Sequence, residues 1–262
     1  MRCVALLLIS CMSSVMYAKP PRHIPNELVE QFTLNHRIPV FDWYLDDTHS
    51  QTKTTLPNGS IVSVFKKKTI DAYIKQVKQN KANYYGETDI WLYQAFKQYP
   101  IQGKKVGIIG SDRPWYEAVV LAYGGIPVTI EYTPIITDDT RLRTMTVEEF
   151  NQNPERFDII LSISSIEHDG LGRYGDPINP QADLETMKKL KEYLKPDGLM
   201  FLAVPIGKDC LCWNAHRIYG PIRFPLLTEA WELIDSFGFK NKGFSGFLKD
   251  SYQPVFCLKP KQ

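Results

Sequence analysis

Four short apolar runs, each separated from the next by a segment of helical spacing, constrain this 262-residue chain more than any other feature. They are Val106–Ile109 ending in Gly110, Val128–Tyr132, Phe157–Ile163 and Leu199–Val204. Each reads as a strand apolar on both faces, the condition of a parallel sheet covered by helices on either side. The intervening helices are Pro114–Tyr123 closed by Gly124-Gly125, the short Val147–Asn151, and Leu184–Leu194 before Pro196-Asp197-Gly198. Ser111 or Asp112 is available to cap the first of them, and Pro114 suits its first turn. Trp115 and Tyr116 read as core. Leu227–Phe237, ended by Gly238, reads as a further helix, and Phe239–Phe244 and Gln253–Leu258 as two closing strands joined by a loop alone, hence antiparallel. The α/β domain therefore occupies residues 104–262.

Residues 19–103 read as an N-terminal extension packed on that domain. Residues 19–60 form a polar, Pro-containing arm anchored by Phe41, Trp43 and Tyr44. Ile61–Phe65 alternates as a strand and pairs with Lys53–Leu56 across the Asn58-Gly59 turn. Residues 69–80 and 87–98 have helical spacing. Ahead of the arm, Arg2 precedes sixteen residues, 3–18, without a charge, followed by Lys19-Pro20-Pro21-Arg22. This is the pattern of a signal peptide ending at Ala18, which implies a secretory lumen or secretion. Met16 is larger than the cleavage pattern prefers, so an uncleaved anchor stays open; only in that case is the membrane a partner. The run is shorter than the ~20 residues that span a bilayer comfortably.

An oxidising compartment permits one disulfide among the cysteines beyond that leader, Cys257 with Cys210 or Cys212. Cys-x-Cys without a second close pair lacks metal-ligand spacing, so no metal is expected. Asn58-Gly59-Ser60 is an N-glycosylation acceptor and also a turn. A net charge of +2 gives no case for nucleic acid, which requires clustered Lys and Arg. Lys66-Lys67-Lys68, the one basic run, reads as a solvated strand end.

Three segments together resemble the class I S-adenosylmethionine-dependent methyltransferases. Arg156-Phe157-Asp158-Ile159-Ile160-Leu161-Ser162-Ile163-Ser164-Ser165-Ile166-Glu167-His168 looks like that family's fourth strand and the Glu-His after it. Leu194-Lys195-Pro196-Asp197-Gly198-Leu199 through Pro205 looks like its helix-to-fifth-strand corner. Lys105-Val106-Gly107-Ile108-Ile109-Gly110 stands in the place of the first strand and glycine loop. The whole chain, with Trp213-Asn214-Ala215-His216-Arg217, further resembles a nematode domain-of-unknown-function family related to these enzymes. The resemblance implies a doubly wound, mostly parallel seven-stranded sheet of Rossmann-like methyltransferase type with antiparallel C-terminal strands. It departs from the family in the glycine loop, where Asp112 and Pro114 stand at glycine positions, and in Ile108, where an acid is usual.

S-adenosylmethionine is the cofactor this implies, held by Gly110, Ser111, Glu131 and Ser164. Gly110 lets the backbone approach a ligand, and Glu131, at the end of the second strand, can accept hydrogen bonds from both hydroxyls of a ribose. A dinucleotide would use the same geometry. His168 is the candidate general base for methyl transfer to a hydroxyl; holding a loop is its alternative role. Glu167 either orients His168 or caps the next helix, and Asp169 reads as surface polar. The insert Lys208–Tyr219 offers Trp213, Asn214, His216 and Arg217 to a small-molecule or glycan substrate, Trp213 otherwise packing the insert on the sheet. Arg173, Tyr174 and Asp176 lie in a glycine-rich loop that is either a lid or a crossover. The expected function is O-methylation of a glycan or other hydroxyl acceptor in the secretory pathway. The alternatives are a methyltransferase-fold scaffold without chemistry, and a nucleotide-sugar or dinucleotide enzyme.

Overall fold

A computed structural model describes residues 19–47, 53–240 and 243–261; the expected signal segment lies outside the described residues. The central sheet has seven strands: β1 (Lys105–Ile109), β2 (Ile126–Glu131), β3 (Arg143–Thr146), β4 (Phe157–Ile163), β5 (Leu194–Ala203), β6 (Trp231–Phe237) and β7 (Val255–Pro260). Their spatial order is β6, β7, β5, β4, β1, β2, β3. Pairing is parallel from β3 through β5, and β7 runs antiparallel to both β5 and β6. This is the doubly wound sheet that the resemblance implies. The chain order reverses between β1 and β4, so a crevice opens at their carboxyl ends.

Helices cover both faces. Against one face lie α1 (Lys67–Lys78), α2 (Glu87–Gln98) and α3 (Trp115–Ala122). Leu92 and Phe96 of α2 and Trp115 and Val119 of α3 pack there on Val106, Ile108, Leu161 and Phe201, with Tyr73 of α1 edge-on to Trp115. Against the other face lie α4 (Val147–Gln152), α5 (Ala182–Leu190) and α6 (Arg223–Leu227). Phe150, Met187, Leu190 and Leu227 bury Ile160, Met200, Leu202 and Phe256. α4 begins with a capping box, Thr146 accepting from the Glu149 amide while Glu149 accepts from the Thr146 amide. α3 has no such cap: Pro114 holds the cap position, and neither Ser111 nor Asp112 serves it.

The C-terminal third differs most from expectation. The segment read as a helix over 227–237 ends at Leu227, and Trp231–Phe237 is the edge strand β6. Antiparallel pairing with β7 overrides its helix-like spacing, and an edge needs only partial burial: Trp231 is buried while Leu233 and Ile234 stay exposed. Among the described residues of 239–244 there is no strand, and Gly243–Ser245 is a 3-10 turn. β3, with the sequence Arg-Thr-Met-Thr, is not among the expected strands: an edge strand this polar carries no apolar signal.

The extension reaches the domain by backbone pairing. Thr54 and Thr55 pair with Val62 and Ile61 across the Asn58-Gly59 turn as expected, and Ile61–Phe65 adds a parallel partner, Ile135–Thr137. Val40–Trp43 runs parallel to Cys210–Asn214, which pairs antiparallel with His216–Ile218. The expected loop at 208–219 is thus a hairpin. The expected disulfide is not formed. Cys210, Cys212 and Cys257 are free, Cys257 in the core of the main sheet and the other two beneath the hairpin. Among the described residues, no helix is long and apolar enough to cross a membrane.

A buried ion cluster ties this hairpin to α5. Asp183, fully buried, accepts from Arg223 Nη2 at 2.6 Å, Arg223 Nε at 2.9 Å and the Tyr219 hydroxyl at 3.0 Å, with Arg217 Nε 3.8 Å away. Burial alone would raise its carboxyl, but Arg217 and Arg223 hold it below the usual carboxylate range. Asp209, also buried, accepts the Gly220, Ile222 and Arg223 amides and fastens the turn into α6. Removing one member of such a cluster strands buried charge. Asp183→Ala is therefore expected to lower stability by about 3–5 kcal/mol. Urea unfolding with an unchanged m-value would measure it, and a loss below ~1 kcal/mol would contradict the assignment.

Candidate active site

The carboxyl ends of β1, β2 and β4 open into a cavity of about 1110 Å³. Gly110, Ser111, Asp112 and Arg113 form one wall, Ile130 and Glu131 another, and Ser164, Ser165, Glu167 and His168 a third. The extension supplies Phe41, Trp43, Tyr84 and Tyr85, and the hairpin supplies Cys212, Ala215 and His216. The glycine loop does not fill this space. Trp115 turns into the core, and the Arg113 guanidinium lies over the Tyr84 ring, 4.3 Å from its centroid.

Gly110 has a φ of +76°, and a Cβ built on it would run into the Ser165 side chain. Only glycine fits, because of its neighbour and its backbone, whatever ligand binds. Glu131 holds the loop in turn: the Ser111 amide donates to Oε2 at 2.6 Å and the Tyr132 amide to Oε1 at 2.8 Å. Burial pushes this carboxyl up while those amides oppose the shift. Each oxygen keeps a lone pair beyond these bonds, so the carboxylate can still accept from a ligand hydroxyl.

The corner after β4 is built around Ser164, whose φ of +51° is unusual for a non-glycine residue. In that conformation its hydroxyl donates to Glu167 Oε1 at 2.6 Å and accepts from Gln253 Nε2 at 3.1 Å. Glu167 is fully buried, and its Oε2 has no partner. Burial pushes its pKa up to about 7. His168 Nδ1 lies 2.6 Å from the Ala215 carbonyl oxygen. A carbonyl only accepts, so Nδ1 carries the proton and Nε2 is left with a lone pair, 3.7 Å from Glu167 Oε1. Burial and the Arg173 cation push the imidazole pKa down to about 3. Arg173 is itself held by Asp47 at 2.7 Å and by the same Ala215 carbonyl at 3.2 Å. Asp169, expected at the surface, is instead half-buried on the cavity wall, accepting from the Thr186 hydroxyl at 2.7 Å, and desolvation raises its pKa to about 8.

Of the four residues offered to a substrate, His216 alone reaches the cavity wall. Trp213 packs edge-on to Phe32 at 5.2 Å and donates to the Pro21 carbonyl. Asn214, fully buried, accepts from the Leu45 amide and donates to the Leu171 carbonyl. Arg217 donates to the Glu167 and Asp169 carbonyls at 3.4 and 2.6 Å. These three assemble the site from behind. Of the aromatic side chains on the cavity wall, Trp43 is 54% exposed and stands edge-on to His216 at 5.3 Å. Tyr174, from the glycine-rich loop, packs on His168 at 5.5 Å. Phe41-x-Trp43 and the Tyr84-Tyr85 pair before Gly86 were visible as aromatic clusters, but nothing in the sequence marks Gln253. Among the described residues, no group of three or more His, Cys, Asp or Glu is placed to hold a metal ion.

A family model described as "Caenorhabditis protein of unknown function, DUF268" matches residues 103–249. No curated protein matches the chain. Among solved structures, the chain is similar to the Burkholderia thailandensis 1,6-didemethyltoxoflavin-N1-methyltransferase, crystallised with 1,6-didemethyltoxoflavin and S-adenosylhomocysteine. Identity is 15%, coverage 74% of this chain and 88% of that one, and the TM-score 0.48. It is also similar to the CcbJ methyltransferase of Streptomyces caelestis, at 10% identity, 67% and 90% coverage and a TM-score of 0.44. A TehB-like SAM-dependent methyltransferase of Corynebacterium glutamicum is 14% identical over 74% and 97% of the two chains, with a TM-score of 0.41.

The raised Glu167 pKa has a thermodynamic consequence. Between the ordinary value of 4.5 and about 7, the folded carboxyl keeps a proton that the unfolded chain has lost. Its contribution is fully present below pH 4.5 and is lost as pH rises through 7. Glu167→Gln is expected to abolish a decline of roughly 3 kcal/mol between pH 5 and 8. Denaturant midpoints at a series of pH values test this; parallel curves for the two proteins would refute it.

Proposed function

The chain belongs to the DUF268 family, and we propose that it binds S-adenosylmethionine and methylates a hydroxyl acceptor, in the secretory pathway and with a glycan as substrate. The observation that carries this reading is the cavity at the reversal of strand order, with the Glu131 carboxylate on its wall. Ligands of doubly wound sheets bind in that crevice. Gly110, Ser111 and Glu131 would hold the ribose side of the cofactor. S-adenosylmethionine, when bound, supplies an electrophilic methyl group.

The chain's own groups manage the acceptor. His168 Nε2 carries a lone pair at every physiological pH and takes the hydrogen bond of the acceptor hydroxyl. Its low pKa suits it to align that hydroxyl rather than to hold the proton. Glu167, near 7 and with Oε1 3.7 Å from Nε2, is the group matched to take the proton on from His168. The exposed face of Trp43 beside His216 offers an apolar platform to a sugar ring and supports the glycan assignment. The charge-free stretch 3–18 and the exposed Asn58-Gly59-Ser60 turn support the compartment. A scaffold without chemistry is the second reading, favoured by Asp112 and Pro114 at glycine positions.

A thermal shift separates them. S-adenosylmethionine at a hundredfold excess over its dissociation constant should stabilise the fold by roughly 2.7 kcal/mol, and Glu131→Ala should abolish the effect. No shift at saturating cofactor overturns the enzyme reading; a shift with NAD alone points to a dinucleotide enzyme. His168→Ala should lower turnover ~10²–10⁴-fold with cofactor affinity nearly unchanged. The pH profile of kcat should show no limb from His168 between pH 5 and 8, because its imidazole is neutral throughout. An acid limb near 6.5 removed by His168→Ala would contradict the assignment.

A further inference from the structure

The proposed chemistry makes no use of the paired thiols in the hairpin wall. Cys210 and Cys212 are two residues apart on the strand Cys210–Asn214, so their side chains share a face, and their sulfurs stand 4.0 Å apart. Cys212 lines the cavity, whereas Cys210 lies behind it among Ala215, Ile218 and Phe41. His216 faces Cys212 directly across the antiparallel pair. An outer thiol beside an imidazole, with a second thiol in contact behind it, is the arrangement of an attacking and a resolving cysteine.

We propose that Cys212 and Cys210 form a dithiol–disulfide exchange site that takes small disulfides, such as glutathione disulfide, from the cavity. His216 accepts the Cys212 proton. The Cys212 thiolate attacks one sulfur of the glutathione disulfide, whose S–S bond breaks, and one glutathione leaves as thiolate and is protonated. Cys210 then attacks the Cys212 sulfur, the Cys212–glutathione S–S bond breaks, and the second glutathione leaves with the Cys210 proton. Two protein thiols are oxidised to one disulfide, and one glutathione disulfide is reduced to two glutathiones.

Two supporting facts bear on the direction and reversibility of this exchange. The hydrogen bond between the two thiols holds Cys212 below its ordinary pKa, with His216 adding to this, and pushes Cys210 above its own, whereas burial pushes the Cys257 thiol up to about 12. Residues two apart on a strand have Cα atoms roughly 6.4–6.8 Å apart, the upper end of what a disulfide spans. A bond formed there is readily reduced again, as befits exchange rather than structural stapling.

The test is incubation of the folded full-length protein with glutathione disulfide, quenching with N-ethylmaleimide and peptide mapping, which resolves these sites from Cys3 and Cys11. The wild type should acquire a Cys210–Cys212 disulfide that dithiothreitol removes. Cys210→Ser should trap glutathione on Cys212, and Cys212→Ser should leave Cys210 unmodified. His216→Gln should slow modification of Cys212 by roughly tenfold. Cys257 should remain alkylated as a free thiol throughout. The proposal is overturned if both hairpin thiols stay free in the wild type, if Cys257 reacts alongside them, or if Cys210 is modified equally in Cys212→Ser.

Discussion

The carboxylate of Asp183 is taken wholly out of water and repaid by two arginines and a tyrosine, and the corner after β4 depends on that arrangement. Arg223 and Tyr219 bind it directly, and Arg217 stands between it and the carbonyls of Glu167 and Asp169. Helix α5, the hairpin and the corner after β4 are thereby locked into one body. The Ala215 carbonyl, at the tip of the same hairpin, then sets the His168 tautomer. A charge cluster that stabilises a fold only modestly, because desolvation offsets much of its attraction, can still specify which loops meet.

That locking produces a site unusual for its protonation states. Glu167 and Asp169 are pushed toward neutrality and His168 away from charge, all chiefly by burial. The corner therefore carries little charge at neutral pH despite its Glu-His-Asp sequence. A site of this kind favours hydrogen bonding and proton relay over strong electrostatic attraction of an ionic substrate. The arm 19–47 completes it: its strand pairing with the hairpin brings Trp43 against His216 and Asp47 against Arg173.

Much of the fold was legible because it depends on local pattern. Apolar runs such as Phe157–Ile163 can be satisfied only inside a covered sheet, and the helical spacing of Pro114–Tyr123 and Leu184–Leu194 supplies the cover. Trp231–Phe237 was misread because its spacing suits a helix as well as a strand, and pairing with β7 decided between them. Arg143–Thr146 was missed because a polar edge strand carries no apolar signal. In the site, Gly110, Ser111, Glu131, Ser164, Glu167 and His168 could be named from their place after strands, since chain direction puts those residues at one end of a parallel sheet.

Trp213, Asn214 and Arg217 could not be sorted from His216 in the same way. In a hairpin, alternate residues face opposite sides, and which side meets the cavity depends on what the hairpin pairs with, here the distant strand Val40–Trp43. The sequence by itself determined the four buried parallel strands, the helices between them and the residues at their carboxyl ends, because these follow from hydrophobic burial and chain direction. Only the tertiary structure decided which polar side chains face the cavity and which hold it together, and how far burial shifts the protonation of Glu167 and His168. Those properties arise from neighbours as distant in the chain as Trp43, Ala215 and Gln253, and no local pattern carries them.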